Sequence, residues 1–328
     1  MQLWFQSLVL GLGVALLVAG AAALVEGAVA LARRARVSEI VIGMTLVSLG
    51  TTAPELAVNL SAAFTSVGEL VLGNVVGSNI FNTLAVIGCA ALVRPLVISP
   101  RTTRFELPFG VFAAVGMIVL IHTGLPPVSR PGSLSRLDGS ILLGIGLVFC
   151  LYVAHTMRAT RAEQSHDAVK VASLSRWVQG PRVSVLLLVL GPVLLAIGGR
   201  MIVESAVAIA EQLEMSTRVI ALSIVAIGTS LPELATSLAA AGRGNTDMAV
   251  GNVIGANVMN IVLVLGVAVM AVPIANTGPV LFELGVNLGA SLAVLAFVYL
   301  GRGRRIVRSE GAVLVAGYLA YLWVILRG

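Results

Sequence analysis

Charge is scarce in this sequence. Only 11% of the 328 residues are Asp, Glu, Lys or Arg, and aromatic residues make up 5%. Cysteine is nearly absent, and Cys89 and Cys150 lie far apart inside apolar runs. This excludes a disulfide framework or a thiolate cluster and leaves each Cys the role of a small buried hydrophobe. The three histidines, His122, His155 and His166, fall at or near polar stretches. The imidazole sets of hydrolytic metal sites and catalytic triads are therefore missing, and no enzyme activity or cofactor is expected. No cationic stretch precedes the first apolar run; its arginines, Arg33, Arg34 and Arg36, follow it. The run is expected to stay as a membrane span and not to be cleaved as a signal.

What the chain has is hydrocarbon: 58% of residues are hydrophobic and the mean hydropathy is +1.02. Apolar runs of about 20 residues, long enough for a helix to cross a bilayer, recur from end to end. Ten spans are expected, near 5–32, 39–66, 71–92, 104–122, 136–157, 183–210, 216–241, 246–270, 279–300 and 307–326. The runs are continuous and lack two-residue alternation, so an all-α multi-pass membrane protein is predicted and a barrel is excluded.

The formal charge of +6 raises the question of a nucleic-acid partner. The positions of the cations answer it. With ten crossings, all Lys and Arg except Arg130, Arg136, Arg218 and Arg327, and Arg200 within a span, fall in loops on one face. This is the positive-inside distribution of a cell-membrane protein with both termini outside and a central cytoplasmic loop. Lipids are the expected surroundings, and neither a nucleic acid nor an obligate protein partner is implied.

An internal repeat organises the whole chain. Residues 25–88 align without a gap on 203–266 at an offset of 178: VEGAVALA on VESAVAIA, GTTAPELA on GTSLPELA, GNVVGSNIFN on GNVIGANVMN. Two five-helix units follow, 1–157 and 183–328, joined by a polar linker, 158–182, that has too little apolar content for a core of its own. Because five is odd, the second unit is expected to enter from the opposite face. The result is an inverted repeat with broken helices near the midplane, an arrangement suited to alternating access.

The two GT(T/S)xPE motifs place Glu55 and Glu233 in apolar surroundings, where an ionised side chain is costly and points to function. Pro54 and Pro232 lack the N–H a helix needs, so carbonyls near Ser48 and Ala226 are expected to open towards a polar cavity. Thr51 and Glu55 share a helical face at i,i+4, as do Thr229 and Glu233. The next span in each half brings Ser78 with Asn82, and Ala256 with Asn260, at the same spacing. Glycines 73, 77, 251 and 255 allow close helix approach, and Asn74, Asn79, Asn252 and Asn257 supply further amides that either ligate or support. Carboxylate, hydroxyl, amide and carbonyl oxygens suit Ca2+ or Na+, and two carboxylates carry the −2 that one Ca2+ neutralises.

These doubled motifs resemble the α-repeats of the sodium/calcium exchanger family, within the cation/Ca2+ antiporter superfamily, and most closely its small prokaryotic type. The resemblance covers nearly the whole chain. It implies an antiporter in which Glu55, Glu233, Thr51 and Thr229 hold Ca2+, and Na+ uses the same glutamates with Thr52, Ser230, Ser78 and the carbonyls of Ser48 and Ala226. Asn82 and Asn260 would line the centre. It also implies electrogenic exchange of three Na+ for one Ca2+, and sliding of the first and sixth spans to switch access. Asn260 stands where many relatives carry Asp, which counts against K+-dependent exchange, and Ala256 stands where Ser is usual, which removes a Na+ ligand. Ca2+/H+ exchange is the alternative.

Other acids are set aside. Glu26 and Glu204 are expected in interfacial ion pairs, the latter with Arg200 one turn away. Glu106 and Glu283 are assigned to helix N-termini, and Glu69 and Asp247 to solvated loops.

Overall fold

A computed structural model describes residues 2–35, 39–64, 68–123, 131–163, 181–212, 226–275, 280–301 and 303–327. The middle of the expected linker, with His166, Lys170 and Arg176, and the loop residues Arg36, Arg130, Arg218 and Arg302 lie outside these. The described chain is almost all helix: α1 (Gln2–Ala35), α2 (39–64), α3 (68–93), α4 (102–123), α5 (Arg136–Glu163), α6 (Pro181–Gln212), α7 (226–242), α8 (246–271), α9 (Leu281–Leu300) and α10 (Arg308–Arg327). Among the described residues eight helices are long and apolar enough to cross a membrane; α2 and α7, which carry the Pro-Glu motifs, are not among them. Helix α5 runs past the expected 157 to Glu163, since Arg-Ala-Thr-Arg-Ala-Glu is largely made of good helix formers.

Burial separates a centre from a periphery. Within the spanning windows of α3 and α8, 83% and 78% of residues are buried, against 22% in α6 and 17% in α10. Leu8, Leu12 and Val18 of α1 and Val185, Leu186 and Val189 of α6 point outward, as expected of a surface that meets lipid. Where α1 and α6 face each other the seam is glycine. A Cβ on Gly20 would lie 2.8 Å from the Leu195 nitrogen, and one on Gly198 would lie 2.6 Å from the Gly13 carbonyl. Gly13, Gly20 and Gly27 meet α6 in descending order of residue number, so the helices run antiparallel. Gly13 and Gly191 are repeat equivalents, as are Gly20 and Gly198, so one small-residue stripe meets its own copy.

The helices are irregular where the motifs lie. Helix α2 contains a π-helical turn at Gly43–Val47 and then continues through Pro54 without a break. Helix α7 is interrupted at Ser230 (φ −97°, ψ 8°), and a new helix starts at Leu231 with Pro232 in its first turn. The two prolines therefore act differently. Pro232 sits where its missing N–H costs least, while Pro54 is interior and leaves the Gly50 carbonyl without its usual donor. Further π-helical turns, Phe81–Val86 in α3 and Asn260–Leu265 in α8, begin within one residue of equivalent positions and contain Asn82 and Asn260.

Two short backbone ladders tie the loops. Leu96 pairs with Ile306, next to Val97 with Arg305, and Leu134 pairs with Ile274. Leu96 and Ile274 are again equivalents at 178. Each ladder joins loops that the charge pattern assigns to one face.

Candidate functional site

Helices α2 and α7 bring their motifs together against α3 and α8. Glu55 is 1% exposed and Glu233 0%. The Thr52 hydroxyl donates to Glu233 Oε1 at 3.4 Å, and the Ser230 hydroxyl donates to Glu55 Oε1 at 3.4 Å. Since 52 + 178 = 230 and 55 + 178 = 233, each half caps the other half's carboxylate with the same bond.

A second reciprocal pair orients the threonines. Thr51 donates to Asn252 Oδ1 at 3.3 Å and Thr229 to Asn74 Oδ1 at 3.1 Å. The single Thr51 proton is shared between Asn252 Oδ1 and the Ser48 carbonyl. Asn252 is itself fixed: its Nδ2 reaches Thr236 Oγ1 at 2.9 Å, Ser237 Oγ at 3.0 Å and the Glu233 carbonyl at 3.4 Å. Asn59 likewise donates to the Glu55 carbonyl at 2.8 Å. The Ser48 carbonyl accepts the Thr51 hydroxyl at 3.1 Å, and the Ser48 hydroxyl turns back to the Met44 carbonyl at 2.7 Å. A Cβ on Gly255 would come within 2.7 Å of both the Met44 carbonyl and Ser48 Oγ, so only glycine lets α8 pack this closely on α2.

What remains unpartnered shows what the site lacks. Glu55 Oε2, Glu233 Oε2, Ser78 Oγ, both polar atoms of Asn82 and Asn260 Oδ1 are buried without a hydrogen-bond partner among the described residues. Each such group costs about 1–3 kcal/mol, and a folded protein tolerates only a few of them. Six of the fifteen such atoms among the described residues fall in this motif set, and five of the six are hard oxygens. Ala256 is fully buried and brings no oxygen from its side chain. Ala226 opens α7, so its backbone stands at the start of the broken helix. Among the described residues no three His, Cys, Asp or Glu side chains gather; the acidic content here is the two glutamates.

Four residues gained roles that spacing did not assign. Asn74 and Asn252 orient the threonines, and buried Glu106 forms a separate pair with half-buried Tyr152. Glu106 is not at an exposed helix end: it is 1% exposed, within a π-helical turn, because Tyr152 of α5 covers it and donates to Oε1 at 2.9 Å. The available signal was Glu283, which aligns with Glu106 after a one-residue deletion (Phe105-Glu106-Leu107 on Phe282-Glu283-Leu284) and begins an i,i+4,i+8 polar row with Asn287 and Ser291. Arg200 and Glu204 pair at 2.6 Å as expected, whereas Glu26 pairs with Arg243 at 2.9 Å.

A family model described as "Sodium/calcium exchanger protein" matches residues 5–155 and 183–327. The chain is 33% identical over 320 residues to the putative antiporter CaxA of Alkalimonas amylolytica, covering 95% of this chain and 96% of that one. It is 31% identical over 343 residues to the sodium/calcium exchanger MaX1 of Methanosarcina acetivorans, covering 97% of each. Among solved structures it is similar to the sodium-calcium exchanger NCX_Mj soaked with 2.5 mM Na+ and 0.1 mM Ca2+, with a TM-score of 0.79, 29% identity and 97% of each chain covered.

Proposed function

We propose that this chain, which belongs to the sodium/calcium exchanger protein family, is an antiporter that exchanges Na+ for Ca2+ across a cell membrane. Family and fold are those of a membrane exchanger, so the chemistry to explain is ion binding and release. The observation that carries the reading is the pair Glu55 and Glu233, both buried, capped by hydroxyls across the repeat, in no ion pair among the described residues and each with an unpartnered oxygen there. Two carboxylates in low dielectric repel strongly. One Ca2+ neutralises them, and so do Na+ ions; occupancy by one therefore excludes the other, which is the requirement of exchange.

In this reading Ca2+ is held by Glu55 and Glu233 with Thr51 and Thr229. Na+ uses the glutamates with Thr52, Ser230, Ser78 and the carbonyls of Ser48 and Ala226, and Asn82 and Asn260 line the centre. The reciprocal bonds and the antiparallel α1–α6 seam support an inverted repeat of two five-helix units, 1–157 and 183–328, joined by a cytoplasmic linker at 158–182. Ten helices cross the membrane, with both termini outside. Near-equivalence of the halves gives two packings of similar energy, the requirement for alternating access. Three Na+ moving against one Ca2+ carry net charge.

Ca2+/H+ exchange is the second reading, favoured by one observation: each buried carboxyl keeps an oxygen without a partner among the described residues, where a proton can also sit. Uptake of radiolabelled Ca2+ into proteoliposomes under an imposed Na+ or pH gradient separates the two.

A further inference from the structure

A cavity between α3, α4, α8 and α9 lies apart from the two glutamates, neither of which lines it. It offers about 40 Å3 to the centres of water-sized molecules. One water needs roughly 10–15 Å3 by that measure, so a partly hydrated ion fits. Its polar lining comes from four helices: Asn79, Thr83, Glu106, Asn257, Asn287 and Ser291.

The state of these groups is informative. Glu106 Oε1 is taken by the Tyr152 hydroxyl, whose own oxygen accepts Arg101 Nε at 3.3 Å, while Oε2 is buried and unpartnered among the described residues. Neither described ion pair includes Glu106; Arg101 is connected to it through the Tyr152 hydroxyl, on the Oε1 side. A carboxyl so placed is completed by a proton or by a cation. The neighbours decide between them. Asn257 Oδ1 is also buried and unpartnered. Thr83 Oγ1 accepts the Asn257 amide at 2.8 Å, and the Ser291 hydroxyl donates its proton to the Asn287 carbonyl at 3.0 Å, leaving both oxygens with free lone pairs. A proton on Glu106 would satisfy Oε2 alone. A cation can draw on oxygens from more than one of these helices, and one carboxylate matches a single positive charge. Asn287 Nδ2, unpartnered as well, can hold a water of hydration.

The cavity is linked to the central site by amides. Asn79 donates to the Asn257 carbonyl at 3.2 Å, and Asn260 donates to Asn79 Oδ1 at 3.2 Å. We propose that this cavity is a second cation site, selective for monovalent alkali ions, with Glu106 as its anionic ligand. It rests on the exchange reading only in naming Na+ as the ion.

The test is thermal unfolding of the full purified chain in detergent, titrated with NaCl at constant ionic strength against choline chloride. A ligand that binds the folded state raises the melting temperature with the logarithm of its concentration. In Glu55→Gln/Glu233→Gln, which disables the central pair, the Na+-dependent rise should persist. It should vanish when Glu106→Gln is added, and Asn287→Ala in the same background should shift the titration to higher Na+. A rise already absent in the double variant, or unchanged in the triple, overturns the proposal. So does stabilisation that follows acidification and ignores Na+, which would make Glu106 a proton site. If the two central substitutions leave the wild-type titration untouched, the central reading fails while the Glu106 comparison still stands.

Discussion

Thr52 of one half donates its hydroxyl to Glu233 of the other at 3.4 Å, and the same bond recurs between Ser230 and Glu55. The carboxylates are thus held by hydroxyls across the repeat boundary, and any movement of one half relative to the other must alter both caps.

Glu55→Gln and Glu233→Gln should each reduce Na+-driven Ca2+ transport to background, because a neutral amide at either position leaves the cage one charge short of Ca2+. Thr52→Ala and Ser230→Ala should act more mildly. Loss of one net hydrogen bond, about 1 kcal/mol, corresponds to about a fivefold rise in the half-saturating Na+ concentration. The two should match within about a factor of two, given the equal geometry; a tenfold difference would contradict the reciprocal arrangement.

Asn252 and Asn74 are equivalents with unequal surroundings. Asn252 bridges Thr51 to Thr236, Ser237 and the Glu233 backbone, while Asn74 accepts Thr229 and its Nδ2 is buried without a partner among the described residues. Asn252→Ala should therefore lower stability by about 2 kcal/mol and Asn74→Ala by about 1 kcal/mol or less, since individual polar contacts inside membranes average below 1 kcal/mol. Melting temperatures of the two purified variants check the order.

The glycine seam makes a prediction with its own control. Gly198→Val drives a side chain into α1 and should cost roughly 1–3 kcal/mol or more. Gly11, on the same helix pair, has open space where a Cβ would stand, with nothing within 4 Å, so Gly11→Val should melt near the wild type. Equal losses would mean that α1 and α6 do not pack through this stripe.

Ala256→Ser restores an oxygen where the repeat partner, Ser78, has one. It should lower the half-saturating Na+ concentration by about fivefold, the worth of about 1 kcal/mol. An unchanged value in the same transport titration would place position 256 outside the Na+ coordination sphere.

Much of this was legible in the sequence because the duplication is written in it. Aligning GTTAPE with GTSLPE sufficed to pair Glu55 with Glu233, and intramembrane cost marked both as functional. Less visible was how each proline would behave. The same residue type ends up interior at Pro54 and in a first turn at Pro232, since a helix break depends on flanking packing as well as on the missing N–H. Glu106 escaped because the helix-terminus rule looks only along the chain. Its burial comes from Tyr152, 46 residues away, and its cavity from Asn257 and Asn287, which no local spacing connects to it.

Coupling of Ca2+ to Na+ is decided by radiolabelled Ca2+ uptake into proteoliposomes containing the wild-type chain, with an outward Na+ gradient imposed and pH clamped on both sides. Ca2+ should accumulate, the accumulation should collapse when the Na+ gradient is dissipated, and it should be absent in Glu55→Gln and Glu233→Gln. Accumulation that ignores Na+ and follows an imposed pH gradient would contradict this coupling.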